Sequence, residues 1–226
     1  MESIILDAHG KINLSLDVIG ERMDGYHEIE TIMQSIDLKD TLVIKNRDEG
    51  ITIDCNMPNV PRDSRNLVHK AYSILSDTFN IGKGAYINIH KRIPVAAGLA
   101  GGSTDAAVTL IGLNQLWGLN LSINELMSIG LKIGADVPFC ILGGTALAKG
   151  VGEKLTSLNP FKDHLILLAN LGFEVSTAHV YNSLNIEGIK KRPDMGKILK
   201  AIGKNDLATL STNMVNVLEE VTIGEY

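Results

Sequence analysis

Aromatic residues are scarce in this sequence, 4% of its 226 positions, so its core must be assembled chiefly from Ile, Leu, Val and Ala. Cysteine is scarcer still. Cys55 and Cys140 lie neither in a CxxC pair nor at zinc-ligand spacing from a histidine, which argues against metal or redox chemistry and predicts a reduced chain with buried thiols. No apolar run approaches the roughly 18 residues that a membrane helix requires. The segment Met1-Glu2-Ser3-Ile4 lacks the basic region and long apolar stretch of a signal peptide. The expectation is a soluble, cytoplasmic protein with no membrane partner. Positive charge is also short. A formal net charge of −5 argues against a nucleic-acid partner, which normally meets a basic patch. It leaves a nucleotide ligand open, because backbone amides and one or two lysines can hold phosphates locally.

What is present reads as an ordinary globular chain, 45% hydrophobic and 21% charged, long enough for one large domain or two small ones. Ile12 to Val18 alternates apolar and polar, the period of a half-buried strand. Asp40 to Lys45 and Ile51 to Cys55 read as further strands, with Asp48-Glu49-Gly50 as the turn between them. From Asn66 to Phe79 the period becomes helical, with Leu67, Ala71, Ile74 and Leu75 on one face. Alternation returns over Ala85 to Ile93 and breaks at Pro94. Ala106 to Trp117 is helix-forming, and Ser122 with Glu125 is a capping-box start for a helix to about Ile133. Thr145 to Lys149 and His164 to Ala169 read as strands, and the remainder from about Ser176 as mostly helical. Neither repeats nor low-complexity tracts occur; the one weak boundary signal is Asn159-Pro160.

Between the strand ending at Ile93 and the helix at Ala106 lies Pro94-Val95-Ala96-Ala97-Gly98-Leu99-Ala100-Gly101-Gly102-Ser103-Thr104. A strand, a glycine-rich turn and a helix together present free backbone N–H groups to phosphate, and the absence of Cβ atoms lets the backbone come close. No Lys-Ser/Thr follows the glycines, so this is not a Walker A loop, and the GxGxxG spacing of a dinucleotide site is missing. On this feature alone, a phosphate cradle and a tight structural connection are both open.

Phosphoryl transfer from ATP to an alcohol wants a carboxylate beside the attacking hydroxyl, a cation near the developing charge and a phosphate cradle. Asp136 follows Gly134-Ala135 and precedes Val137-Pro138-Phe139, an apolar setting for an acid. Alone, it reads better as a helix-capping or turn aspartate, and Lys11 alone as a solvated strand-end lysine. Tyr26 and His27 follow Asp24-Gly25, a hairpin turn, and alone read as loop residues.

Taken jointly, these segments resemble one group of enzymes. Ala8-His9-Gly10-Lys11-Ile12-Asn13-Leu14, Gly20 to Glu28, Pro94 to Thr104 and Gly134-Ala135-Asp136-Val137-Pro138-Phe139 are similar to the motifs of the galactokinase, homoserine kinase, mevalonate kinase and phosphomevalonate kinase superfamily. Within it, the DGYH, KINL and GADVPF segments resemble the family of 4-diphosphocytidyl-2-C-methyl-D-erythritol kinases, which act in the non-mevalonate route to isoprenoid precursors. The motifs occur in the family's order and span nearly the whole chain. The resemblance implies an α+β fold in two parts: residues 1–158 as a ribosomal-protein-S5-like ATP-binding and catalytic domain, and 159–226 as part of a ferredoxin-like substrate domain. It implies that Lys11 and Asp136 form the catalytic pair, with Asp136 as general base. It implies that Pro94, Val95, Ala96, Ala97, Gly98, Leu99, Ala100, Gly101, Gly102, Ser103 and Thr104 hold the ATP phosphates. Tyr26 and His27 match residues that grip a cytosine ring, Asn13 one that binds the erythritol part, and Thr177 and Tyr181 further substrate-side residues. Mg²⁺ would arrive with ATP rather than in a dedicated protein cage.

Two departures stand out. His9-Gly10 replaces the family's usual small or apolar residues before the lysine, which is expected to loosen the strand carrying Lys11. Family members also continue past position 226 with a further glycine-rich segment of GSGPT type, so the second domain is expected to be incomplete here. Three other readings compete with the first. A sister kinase for homoserine, mevalonate or a sugar has no use for a cytosine-reading Tyr26-His27 pair. A non-catalytic nucleotide-binding fragment would have no need of both Lys11 and Asp136. An RNA-binding module is disfavoured by the acidic balance. The expected partner is a small molecule, a cytidine diphosphate sugar-alcohol, with a monomer or a homodimer equally open.

Overall fold

Two long strands carry the amino-terminal part of the chain: β1, Ser3–Glu21, and β2, His27–Arg47. They pair across a turn in which the Arg22 N–H donates to the Tyr26 carbonyl (2.8 Å) and Gly25 takes a φ of 81°, as the Asp24-Gly25 signal predicts. The structure, a computed structural model, describes residues 2–170, 172 and 175–225. The fold is of the α+β class, and the chain forms two compact units. One comprises Met1–Lys11 with Ile36–Leu142, the other Ile12–Ser35 with Gly143–Tyr226. This division differs from a single cut after residue 158, because β1 and β2 are each long enough to contribute to both units.

In the first unit, residues 41–47 of β2 pair antiparallel with β4, Gly84–His90, and β4 pairs parallel with β3, Ile51–Cys55. Strands β2 and β3 are joined by the turn at residues 48–50, yet β4 lies between them. A parallel pair needs a crossover, and α1, Leu67–Phe79, supplies it. Asn66 starts this helix by accepting the Val68 N–H at 2.9 Å, and Asn80 ends it in the left-handed region at φ 51°. The apolar face Val68, Ala71, Tyr72 and Leu75 is buried.

Three helices follow: α2, Gly101–Trp117; α3, Ile123–Leu131, with the predicted Ser122–Glu125 capping box; and α4, Val137–Leu142. Helix α2 begins five residues before the apolar run at Ala106. Helix α4 forms where only a helix end was expected, because Pro138 is tolerated in a first helical turn. The alternating strand residues Leu42, Ile44, Ile87 and Ile89 meet Leu75, Leu110 and Leu113 in one buried cluster. Side chains of this size contribute about 1.5–3 kcal/mol each on burial.

In the second unit, residues 29–34 of β2 pair antiparallel with β5, Thr145–Gly150, which pairs with β6, Lys154–Ser157. Among the described residues it also carries four α-helices: α5, Thr177–Ser183; α6, Met195–Gly203; α7, Leu207–Asn213; and α8, Glu219–Glu225. Ser176, Asp194 and Asp206 cap α5, α6 and α7 by accepting backbone N–H groups. Leu14, Ile32, Phe161, Ile198 and Ile202 form one core here, and Leu16, Val18, Val180 and Val217 another.

The strand expected at His164 to Ala169 does not form. The segment has no regular structure, and Leu165 and Leu167 are fully exposed. A strand requires a neighbour to take its ladder hydrogen bonds, and among the described residues no strand pairs with this one. Among the described residues no helix is long and apolar enough to cross a membrane.

Candidate active site

Three of the expected site elements meet in the first unit. The Lys11 N–H, on β1, donates to the Leu99 carbonyl of the glycine-rich loop at 3.0 Å. Gly10 eases that approach, since a Cβ there would stand 3.4 Å from the Leu99 oxygen and a tight 3.3 Å from the Leu38 oxygen. His9 Nδ1 lies 2.9 Å from the Ile36 carbonyl oxygen. The strand is therefore held at His9 and at Lys11, on either side of Gly10.

The Lys11 side chain is 8% exposed, and its Nζ lies 3.7 Å from Asp136 Oδ2. A buried ammonium is costly without an opposite charge nearby, and Asp136 supplies one. Asp136 sits at the entry to α4, where its carbonyl accepts the Cys140 N–H at 3.0 Å, and its own side chain is 35% exposed. One carboxylate oxygen can thus face the lysine while the group stays open to a ligand. Cys140 lies beside this pair. Burial, and the charge of Asp136, push its thiol up to about 12, so it stays uncharged and is no nucleophile at neutral pH.

The loop itself is exposed over Pro94 to Ala96 and at Gly98 and Gly102. Ala96, Gly98 and Ala100 all take positive φ, at 57°, 73° and 57°. Two alanines in the left-handed region carry about 1–2 kcal/mol of strain each, which the surrounding structure must sustain. No side chain caps α2 at Ala100, so the first-turn N–H groups after it are left for a ligand.

A charged cluster that sequence reasoning did not single out lies beneath this loop. Lys91 Nζ is 2.5 Å from Asp40 Oδ2 and 2.9 Å from Asp105 Oδ2, and all three side chains are almost fully buried. The other Asp40 oxygen accepts the N–H groups of Arg92 (2.5 Å) and Ile93 (2.8 Å). Burial, opposed by Lys91 and assisted by the Asp40 carboxylate, raises Asp105 to about 7. Burial pulls Lys91 down, but Asp105 and Asp40 more than offset it, and the lysine ends above its ordinary value. The available signal was Lys91 and Asp105 flanking the glycine-rich segment on each side.

In the second unit, the His27 and Tyr181 rings approach to 5.2 Å at 36°. His27 Nε2 is buried with no hydrogen-bond partner among the described residues; Glu21 Oε1 is 3.9 Å away. Tyr26 is 63% exposed on the turn, its N–H donating to Asp24 Oδ1 at 3.1 Å. Arg22 holds that turn by bonding Asp24 and Glu28. Asn13 lies on β1, half-buried, and Thr177 is exposed at the start of α5. The His27–Tyr181 contact joins two of the five expected substrate residues.

A buried lysine facing a half-exposed aspartate, a loop bonded to the lysine's strand and an uncapped helix are parts an alcohol kinase needs, and the family model GHMP kinases N terminal domain matches residues 66–144. The chain is 53% identical to the 4-diphosphocytidyl-2-C-methyl-D-erythritol kinase of Acetivibrio thermocellus over 226 residues, covering all of this chain and 80% of that protein. It is similar to a crystal structure of 4-(cytidine 5'-diphospho)-2C-methyl-D-erythritol kinase, with TM-score 0.78 and 31% identity over 99% of this chain and 78% of that one. Homoserine kinase from Cytophaga hutchinsonii shares the fold, at TM-score 0.70 and 20% identity over 96% of this chain and 72% of that one. The chain belongs to the family of 4-diphosphocytidyl-2-C-methyl-D-erythritol kinases.

Proposed function

We propose that this chain transfers the γ-phosphoryl group of ATP to the 2-hydroxyl of 4-diphosphocytidyl-2-C-methyl-D-erythritol, as a soluble, cytoplasmic enzyme of the non-mevalonate route. The observation that carries the reading is the 3.7 Å contact of Asp136 with Lys11, which lies on a strand bonded to the glycine-rich loop. Asp136 takes the proton as the substrate oxygen attacks the γ-phosphorus. The bond from that phosphorus to the bridging β-phosphate oxygen breaks, and ADP leaves. Lys11 orients the hydroxyl and offsets charge on the transferring group. The N–H groups at the start of α2, with Ser103 and Thr104, cradle the phosphates.

Mg²⁺ would arrive with ATP rather than in a dedicated protein cage. Among the described residues no group of three His, Cys, Asp or Glu could hold a metal alone. When bound, the ion neutralises phosphate charge. His27 and Tyr26 read the cytosine ring, one by hydrogen bonding through the unpartnered Nε2 and the other by stacking. Asn13, Thr177 and Tyr181 contact the rest of the substrate. The partner is thus a small molecule, not nucleic acid or membrane, and the enzyme acts as a monomer or homodimer.

A coupled ADP-release assay with Mg-ATP tests the reading, using the cytidine substrate with homoserine and mevalonate as controls. Turnover with the cytidine substrate alone is expected. Turnover with a control instead would overturn the role given to Tyr26 and His27.

A further inference from the structure

The loop that meets the phosphates is exposed, strained at two alanines and free of side-chain caps, so something beneath it must fix its shape. The structural candidates are few. Its entry is Lys91-Arg92-Ile93 and its exit is Gly101 to Asp105. Asp40 Oδ1 binds the N–H groups of Arg92 and Ile93, and Asn56 pins Lys91 by accepting its N–H (2.7 Å) and donating to its carbonyl (3.1 Å). Lys91 Nζ then spans from Asp40 to Asp105 on α2. A Cβ on Gly101 would fall 3.0 Å from Lys91 Nζ and 3.1 Å from Ile93 Cγ2, so the ammonium lies directly against the first residue of the helix. Both ends of the loop are tied to a single cation.

We propose that Lys91, clamped between Asp40 and Asp105, is the positioning residue of the phosphate loop, setting its geometry and local charge for the triphosphate without touching it. The inference rests on the kinase reading above. Two ionised aspartates and one ammonium leave a net negative charge behind the phosphates, which opposes triphosphate binding; a proton on Asp105 removes it. The titratable groups facing Asp105 are Asp40 on β2, Lys91 after β4 and, on α4, Cys140, with Asp136 and Lys11 acting on that thiol in turn. Burial raises Asp105 to about 7 and the Cys140 thiol to about 12, so Asp105 changes charge between pH 6 and 8.5 while the thiol does not.

The test is equilibrium titration with Mg-ATP by calorimetry, which needs no turnover and so separates this inference from the choice of acceptor. Asp105→Ala, which cuts one end of the clamp, is expected to weaken Mg-ATP about tenfold, the order of loss that follows from displaced binding groups. Asp105→Asn, which keeps an acceptor for Lys91, is expected to restore binding to within about twofold of the parent at pH 6. The parent should lose affinity between pH 6 and 8.5 while Asp105→Asn stays flat. In the ADP-release assay, Asp105→Ala should raise KM for ATP and leave KM for the cytidine substrate unchanged. A folded Asp105→Ala protein that binds Mg-ATP as the parent does would overturn the proposal. If that variant does not fold, matching pH dependences in the parent and Asp105→Asn overturn it instead.

Discussion

Asp105→Asn carries a stability prediction whose size follows from the cluster. The carboxyl sits at about 7 in the folded protein against an ordinary 3.8, chiefly because burial disfavours its charged form. A raised carboxylate binds its proton more tightly when folded, so the native state holds more protons than the unfolded chain between those two values. Stability must then fall as pH rises through that window and level off above it. At about 1.4 kcal/mol per pH unit, the gap amounts to about 4 kcal/mol between pH 3.8 and 7. Little solvent screening reduces it, because Asp105 is 3% exposed. Lys91 stays charged throughout, so the slope belongs to Asp105.

Urea unfolding at pH 5, 6, 7 and 8 measures it. The lone tryptophan is a suitable reporter, since Trp117 ends the helix that carries Asp105 and packs edge-on against Tyr72 at 5.7 Å. Carboxylates held low by their partners, Asp63 beside Arg65 among them, titrate alike in both proteins and cancel in the difference. The parent should lose stability relative to Asp105→Asn from pH 5 to 7, and the difference should be level by pH 8. A flat difference, or a parent that gains on the variant as pH rises, would mean that Asp105 is ionised and held so by Lys91. The reasoning from burial would then be wrong.

Other expectations rest on single contacts. Asp136→Asn should lower kcat by about 10²–10⁴ while calorimetric Mg-ATP affinity changes little, the pattern of a lost general base; equal loss of both would make Asp136 structural. His27→Ala should raise KM for the cytidine substrate by about tenfold through loss of a ring contact and a buried hydrogen-bonding nitrogen, with KM for ATP unchanged. An unaltered substrate KM would remove His27 from cytosine reading. Ala100→Gly should stabilise the protein by up to about 1 kcal/mol, because φ 57° costs alanine more than glycine's extra freedom costs the unfolded chain. A lower urea midpoint would show that the loop does not hold this conformation in solution.

The parts of the fold visible in the sequence are those that local chemistry decides. Ser122 and Glu125 specify a helix start because the two groups satisfy each other within one turn. Ile51 to Cys55 is a strand on alternation alone, and its bounds match β3. His164 to Ala169 shows where that logic ends, since an apolar run supplies a strand's side chains but not the neighbour that takes its hydrogen bonds. The site divides in the same way. The loop proposed to bind phosphate is written locally, as a glycine-rich run between a strand and a helix, whereas Lys11 and Asp136 are distant in sequence and each alone resembles an ordinary surface residue. Only the resemblance to a kinase family joined them before the 3.7 Å contact was seen.

The Asp40–Lys91–Asp105 cluster was invisible for a further reason. Nothing in a sequence distinguishes a lysine after a strand that is solvated from one that is 5% exposed between two carboxylates. Its placement follows from the packing of β2, β4 and α2, which brings together three charges from three elements. Buried charges of this kind are weak evidence of stability, because desolvation consumes most of what their attraction returns. An apolar trio would fill the same space, but it could not accept the Arg92 and Ile93 N–H groups or change the charge beneath the loop with pH. Those two capacities are what a phosphate-binding loop could use, and they are the ground for the role proposed for the cluster.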